Sequence, residues 1–181
     1  TEDDLKASEQ SQVQAVIEAK KDAEAPAGTV VTVKSPLSGA AKPLSESPDP
    51  VFSQGVMGQG IVIEPDKGEL VAPIDGVVSV LFPSKHAVGL ISDEGIELLM
   101  HIGMDTVSLD GKGFTAEVKQ GDRVSAGDVL IRFDIQTIQE AGYPVTTPVI
   151  VTNQNDFQTD VTRALPCDIA HGETIFTASK L

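Results

Sequence analysis

The fold turns on one stretch: His86-Ala87-Val88-Gly89-Leu90-Ile91-Ser92-Asp93-Glu94-Gly95-Ile96-Glu97-Leu98-Leu99-Met100-His101-Ile102. Two apolar runs flank Ser92-Asp93-Glu94-Gly95, a strong turn signal. The stretch predicts a β-hairpin. An even loop centred on Asp93-Glu94 pairs residues whose numbers sum to 187. Residues opposite one another then share a face. One face takes Ile91 with Ile96, Gly89 with Leu98 and Ala87 with Met100, small opposite large, as a buried face requires. The other takes Leu90 with Glu97, Val88 with Leu99, His86 with His101 and Ser84 with Gly103. On this register the two imidazoles stand opposite each other, with Cβ atoms about 5 Å apart. An odd loop would set Ile102 opposite His86 and mix the faces.

Outside the hairpin the texture stays β. Strands are expected at Val30–Val33, Ile61–Ile63, Val77–Leu81, Val129–Phe133 and Val149–Thr152. One short helix is expected at Ile135–Ala141, with Asp134 as N-cap and Gly142 just past its end. Ser35-Pro36-Leu37-Ser38-Gly39-Ala40 echoes Ala72-Pro73-Ile74-Asp75-Gly76-Val77, and the Gly121-Asp122 and Gly127-Asp128 turns form a third turn-rich unit. Short Val-rich strands between such turns predict a compact sandwich or barrel. With 40% hydrophobic but 4% aromatic residues and no Trp in 181 residues, Val, Ile, Leu and Ala must build the core.

Residues 1–28 carry seven acids and three bases, and no Gly or Pro before Pro26. They are expected to be an acidic linker or helical segment, which suits the C-terminal piece of a longer polypeptide. Residues 158–181 are expected to be a partly packed tail. The net charge of −14 argues against nucleic acid, which needs a basic face. The lone Cys167 forms no intrachain disulfide and is expected to be a packed, inert thiol. No apolar run is long enough for a membrane span and no signal peptide is visible, so a cytoplasmic location is expected.

Two facing imidazoles suit phosphoryl transfer. One neutral ring attacks phosphorus, and the other donates an N–H to oxygens that gain charge in a loose transition state. The pair is expected to project into a shallow, solvent-reachable hollow. Ser84, two residues before His86, is placed to fix that ring's tautomer. Val88, Leu99 and Val107 would form an apolar rim that suits another protein. A strand histidine is often merely packed, so the pattern alone leaves a structural reading open. It also leaves open a zinc-dependent hydrolase using His86, His101 and Asp105. That chemistry usually needs another ligating histidine two residues away, where Leu99 and Gly103 stand. A biotinyl or lipoyl carrier, or a non-catalytic interaction domain, is a further alternative. Such carriers modify a Lys in a characteristic hairpin, and none is visible.

Gly95-Ile96-Glu97-Leu98-Leu99-Met100-His101-Ile102-Gly103-Met104-Asp105-Thr106-Val107 resembles the active-site signature of the enzyme IIA domains of the glucose–glucoside family in the bacterial phosphoenolpyruvate-dependent sugar phosphotransferase system. The resemblance runs from about Ser35 to about Asn153 and takes in Asp49-Pro50-Val51-Phe52 and Ser84-Lys85-His86-Ala87. It implies a IIA domain over residues 29–157 and an all-β antiparallel sandwich of the barrel-sandwich hybrid type, with one or two short helices. It implies no cofactor. It also implies a relay: the phosphocarrier protein HPr charges His101, and the group passes to a cysteine of a IIB domain, then to sugar at a membrane IIC domain. His86 supports the transition state. Ser84 stands where the family usually has Thr, keeping the hydroxyl. Asp49, Phe52, Leu99, Asp105 and Val107 match positions lining the partner-binding face. Glu140-Ala141-Gly142-Tyr143-Pro144-Val145-Thr146-Thr147-Pro148-Val149 looks like IIA domains fused to β-glucoside, sucrose or trehalose permeases. His171 lies outside the pattern and is expected to be solvated or packed.

Overall fold

A computed structural model describes residues 25–181; most of the expected N-terminal segment lies outside the described residues. The strands are β1 (Val30–Lys34), β2 (Gly39–Pro43), β3 (Gln59–Pro65), β4 (Glu69–Val71), β5 (Gly76–Leu81), β6 (Ala87–Ser92), β7 (Glu97–His101), β8 (Phe114–Ala116), β9 (Arg123–Val124), β10 (Val129–Phe133), β11 (Thr147–Val151), β12 (Phe157–Val161), β13 (Cys167–Ile169) and β14 (Thr174–Lys180). Among the described residues the α-helices are α1 (Pro50–Ser53) and α2 (Ile135–Glu140), with single 3-10 turns at Leu44–Glu46 and Thr106–Leu109. The Asp134 carboxylate caps α2 by accepting from Thr137 N–H at 3.2 Å, and Gly142 follows at φ 90°.

All pairing is antiparallel, in an eight-stranded sheet ordered β13-β2-β3-β11-β7-β6-β5-β9 and two three-stranded sheets, β1-β14-β12 and β4-β10-β8. The protein is the expected antiparallel β-sandwich. Its main core draws on all three sheets: Val33 from β1, Phe176 from β14, Leu70 from β4, Ile131 from β10, and Leu90, Leu98 and Met100 from β6 and β7. A second apolar cluster lies elsewhere in the structure: Leu44, Phe52, Met57, Val62, Phe82, Ala87, Leu99, Met104 and Ile150. Both faces of β7 are therefore covered, and all five of its residues are buried.

The internal echo in the sequence is an approximate two-fold relation in space. Lys34 N–H donates to Pro73 O at 3.1 Å, and Val71 N–H donates to Pro36 O at 2.9 Å. The relation then continues into the C-terminal segment. Ala72 N–H donates to Asp128 O and accepts at its carbonyl from Gly127 N–H, both at 2.8 Å; Ser35 does the same with Glu173 O at 2.7 Å and Gly172 N–H at 3.1 Å. Even the turn carboxylates correspond: Asp128 accepts from Ser125 N–H at 2.9 Å and Glu173 from Ala170 N–H at 2.8 Å. Residues 158–181 thus supply the counterpart of the Gly127-Asp128 turn and of β10. Their strand β14 is the middle strand of its sheet, with Phe176 fully buried.

The hairpin register differs from the even-loop expectation. Ala87 pairs with His101, Val88 with Met100, Gly89 with Leu99 and Leu90 with Leu98. Ser92 N–H donates to Ile96 O at 2.9 Å and Gly95 N–H to Ser92 O at 3.0 Å, with Gly95 at φ 98°. The loop is thus the three residues Asp93-Glu94-Gly95, a turn closed by a left-handed glycine, and its odd length shifts every pair by one. Val88 and Met100 face the main core, and Ala87 and Leu99 the second cluster.

Candidate functional site

His101 ends β7 on the side of the second cluster. His86 lies just before β6, after the turn at Pro83-Ser84-Lys85, in which Lys85 takes a left-handed φ of 57°. Ile102 N–H donates to His86 O at 2.7 Å, so His86 is opposite Ile102, not His101. The rings nevertheless meet. Their centroids are 4.9 Å apart, at an interplanar angle of 81°. His86 is outside the regular strand, so strand alternation does not dictate where its ring goes.

After His101 the chain bends at Gly103, φ 75°. A Cβ there would lie 2.6 Å from Thr106 Cγ2 and 2.7 Å from Pro144 O. The bend brings Gly103 O within 2.7 Å of His101 Nδ1. A carbonyl can only accept, so Nδ1 carries the proton and, in the neutral ring, Nε2 carries the lone pair. A neutral ring in this tautomer can act as a nucleophile at Nε2. Thr106 Oγ1 donates to Ile102 O at 2.5 Å and pins the bend.

Three of the six phenylalanines surround the pair. Phe82 meets His86 edge-on at 5.5 Å, and Phe114 lies 6.5 Å from it. Phe52, carried on α1, lies 5.4 Å from the His101 ring at 51°. Asp49 caps α1 by accepting from Val51 N–H at 2.9 Å. Phe82 and Phe114 were not legible as site residues in their local sequence. The one available signal was the scarcity of aromatics, which makes any cluster of them notable.

Both rings are more deeply buried than expected: His86 is 1% exposed and His101 3%. The expected rim is also redrawn. Val88 is fully buried in the main core and Leu99 in the second cluster, so neither faces outward; the shifted register and the double-sided cover of the sheet account for both. Phe52 and Val107 are nearly buried, and Asp49 and Asp105 half-buried. Ser84 sits half-buried in the turn before His86. Among the described residues no three His, Cys, Asp or Glu side chains are grouped to hold a metal ion, which removes the zinc set of His86, His101 and Asp105. His171 is structural: Nε2–H donates to Glu69 O at 2.9 Å, and Nδ1 accepts from Ser38 Oγ at 3.1 Å. Cys167 is half-buried against the main core.

An antiparallel sandwich that sets two imidazoles against each other, with the tautomer of His101 fixed by a backbone carbonyl, defines a class of β-structured proteins with a paired-histidine site. Residues 31–157 match the family described as phosphoenolpyruvate-dependent sugar phosphotransferase system, EIIA 1, and the chain belongs to that family. It is a phosphotransferase component with a phosphoryl-carrier role, and the match displaces the biotinyl or lipoyl alternative. The chain is 52% identical over 130 residues to a β-glucoside-specific EIIBCA component of Bacillus subtilis, covering 72% of this chain and 21% of the relative. It is 54% identical over 125 residues to the same-named component of Halalkalibacterium halodurans, covering 69% and 20%. The chain therefore spans about a fifth of the length of the curated relatives it matches. Among solved structures it resembles glucose permease IIA from Mycoplasma capricolum, with TM-score 0.76 and 33% identity, covering 82% of this chain and 96% of that one. Among the described residues no helix is long and apolar enough to cross a membrane.

Proposed function

We propose that this domain accepts a phosphoryl group on His101 Nε2 from phosphorylated HPr and passes it to a cysteine of a IIB domain during sugar uptake. The observation that carries the reading is the His101 Nδ1–Gly103 O hydrogen bond beside a second imidazole 4.9 Å away. The Nε2–P bond forms as the donor's P–N bond breaks, and that electron pair returns to the donor nitrogen. The Nδ1 proton stays in its hydrogen bond to Gly103 O. His86 stabilises the charge spread over the phosphoryl oxygens in flight, and Ser84 positions His86. Asp49, Phe52, Asp105 and Val107 border the region where a partner arrives.

The relatives' EIIBCA names support a partner IIB domain and a membrane IIC domain in the same or an associated chain, with this domain held at the cytoplasmic face of the membrane. Their β-glucoside names make a glucoside the first sugar to test. Residues 1–28 serve in this reading as an acidic linker.

Incubation with phosphoenolpyruvate, enzyme I and HPr tests the proposal by mass. The wild type gains one acid-labile phosphoryl group and His101→Ala gains none. His86→Gln is charged by HPr but transfers onward poorly. Labelling that survives loss of His101 would refute the assignment.

A further inference from the structure

A neutral His101 has its lone pair on Nε2 only while the proton stays on Nδ1. The Gly103 carbonyl holds it there, so whatever fixes that carbonyl governs how much of the ring is ready to react. The carbonyl lies in a tight return of the chain between the end of β7 and the 3-10 turn Thr106–Leu109. Gly103 and Asp105 both take left-handed φ there, 75° and 60°. No strand pairing covers this return. Ile102, between the ring and the carbonyl, is fastened at both ends: its N–H donates to His86 O at 2.7 Å, and its carbonyl accepts from Thr106 Oγ1 at 2.5 Å. Farther along, Met104 N–H donates to Pro144 O at 3.1 Å. Thr106 is 0% exposed, so bulk water does not stand in for its hydroxyl. Its methyl makes a second contact. Cγ2 is the atom that a Cβ at Gly103 would meet first, at 2.6 Å. One buried side chain thus touches the residue before the critical carbonyl and the glycine that carries it.

We propose that Thr106 is a positioning residue for phosphoryl acceptance: its hydroxyl, acting through the bend at Gly103, keeps the Nδ1–H tautomer of His101 and so the lone pair at Nε2. The inference rests on His101 as the acceptor. Without the hydroxyl the Ile102 carbonyl loses its donor, and the return relaxes toward a new one. Gly103 O then moves off Nδ1, and the Nε2–H form, which has no lone pair to offer, gains population.

Two pairs of side chains isolate the hydroxyl. Thr106→Val keeps the branched shape and removes only the donor. Thr106→Ser and Thr106→Ala differ from each other in the hydroxyl alone, and they keep the test open if the valine variant does not fold. Nitrogen-15 shifts of the His101 ring, read on the unphosphorylated protein above the imidazole titration, give the ratio of Nδ1–H to Nε2–H. Loss of one hydrogen bond should lower that ratio about two- to tenfold in the valine and alanine variants. Serine should hold the wild-type ratio. Acceptance from phosphorylated HPr should slow severalfold in valine and alanine, whose ring is also misaimed, and recover in serine. Circular dichroism checks that each variant folds. Valine and alanine variants that keep the wild-type ratio, even if less stable, would overturn the role of Thr106, as would a serine variant that shifts as far as alanine. A wild type that gains no phosphoryl group at His101 would instead sink the proposed function, and the tautomer ratio would still decide whether Thr106 sets the ring.

Discussion

Gly103→Ala is the sharpest structural perturbation of the site. The residue holds φ 75°, and an added Cβ would sit 2.6 Å from Thr106 Cγ2 and 2.7 Å from the Pro144 carbonyl. The left-handed conformation costs a residue with a β-carbon about 1–2 kcal/mol, and overpacking adds about 1–3 kcal/mol, so a loss of about 2–5 kcal/mol is expected. The backbone oxygen at Pro144 belongs to the chain running into β11 and cannot rotate away as a side-chain tip would. Relief must come from moving the bend, and the bend holds the Gly103 carbonyl 2.7 Å from His101 Nδ1. Urea unfolding followed by far-ultraviolet circular dichroism measures the first effect, since the chain has no Trp to report. The midpoint should fall with the slope unchanged. Nitrogen-15 shifts of the His101 ring measure the second: the neutral Nδ1–H form of the wild type should give way to a mixture with the Nε2–H form, which has no lone pair at Nε2. A loss below about 0.5 kcal/mol, the scale of an uninvolved surface change, together with an unaltered tautomer would refute the reasoning.

Two further outcomes follow from the same structure. His171→Ala removes the ring that bonds Ser38 and Glu69 and should cost about 1–3 kcal/mol in urea unfolding, while phosphoryl acceptance at His101 stays at the wild-type level. Unchanged stability would show that these bonds contribute nothing. Arg123 donates to both carboxylate oxygens of Asp93, at 2.6 and 2.7 Å, and this hydrogen bonding holds the Asp93 carboxyl below its ordinary range. A depressed native value means that the pair's stabilisation is present above the ordinary aspartate value and is lost as pH falls through the depressed one. In Arg123→Ala, Asp93 should titrate at higher pH by NMR and the acid limb of stability should flatten; an unmoved Asp93 titration would contradict the pairing.

The hairpin, the turn chemistry and α2 were legible because each rests on local rules: a Gly-terminated loop, Asx-capped Gly-Asp turns, and an Asp N-cap. The loop parity was not. It hangs on whether Gly95 closes the turn or starts the strand, a choice of one residue that moves every cross-strand pair. Alternation could not arbitrate, because both faces of β7 are covered and Leu98, Leu99 and Met100 are equally buried. For the same reason Val88 and Leu99 looked available as a rim when they are core. The histidines still met, because His86 lies at an irregular entry that strand arithmetic does not govern. The role of β14 was hidden by divergence within the repeat: Gly172-Glu173 does the work of Gly127-Asp128, but the shared feature is a backbone bonding pattern and a carboxylate, visible only in space. Phe114 comes from a distant element, while Phe82 stands four residues before His86 across the Pro83-Ser84-Lys85 turn, whose geometry alone decides that the two rings meet.

Phosphorus–nitrogen correlation NMR on the charged protein tests the central claim most directly. The account predicts one phosphoryl group coupled to His101 Nε2, with Nδ1 still protonated against the Gly103 carbonyl. Coupling to Nδ1 of that ring, or to any other side chain, would contradict it.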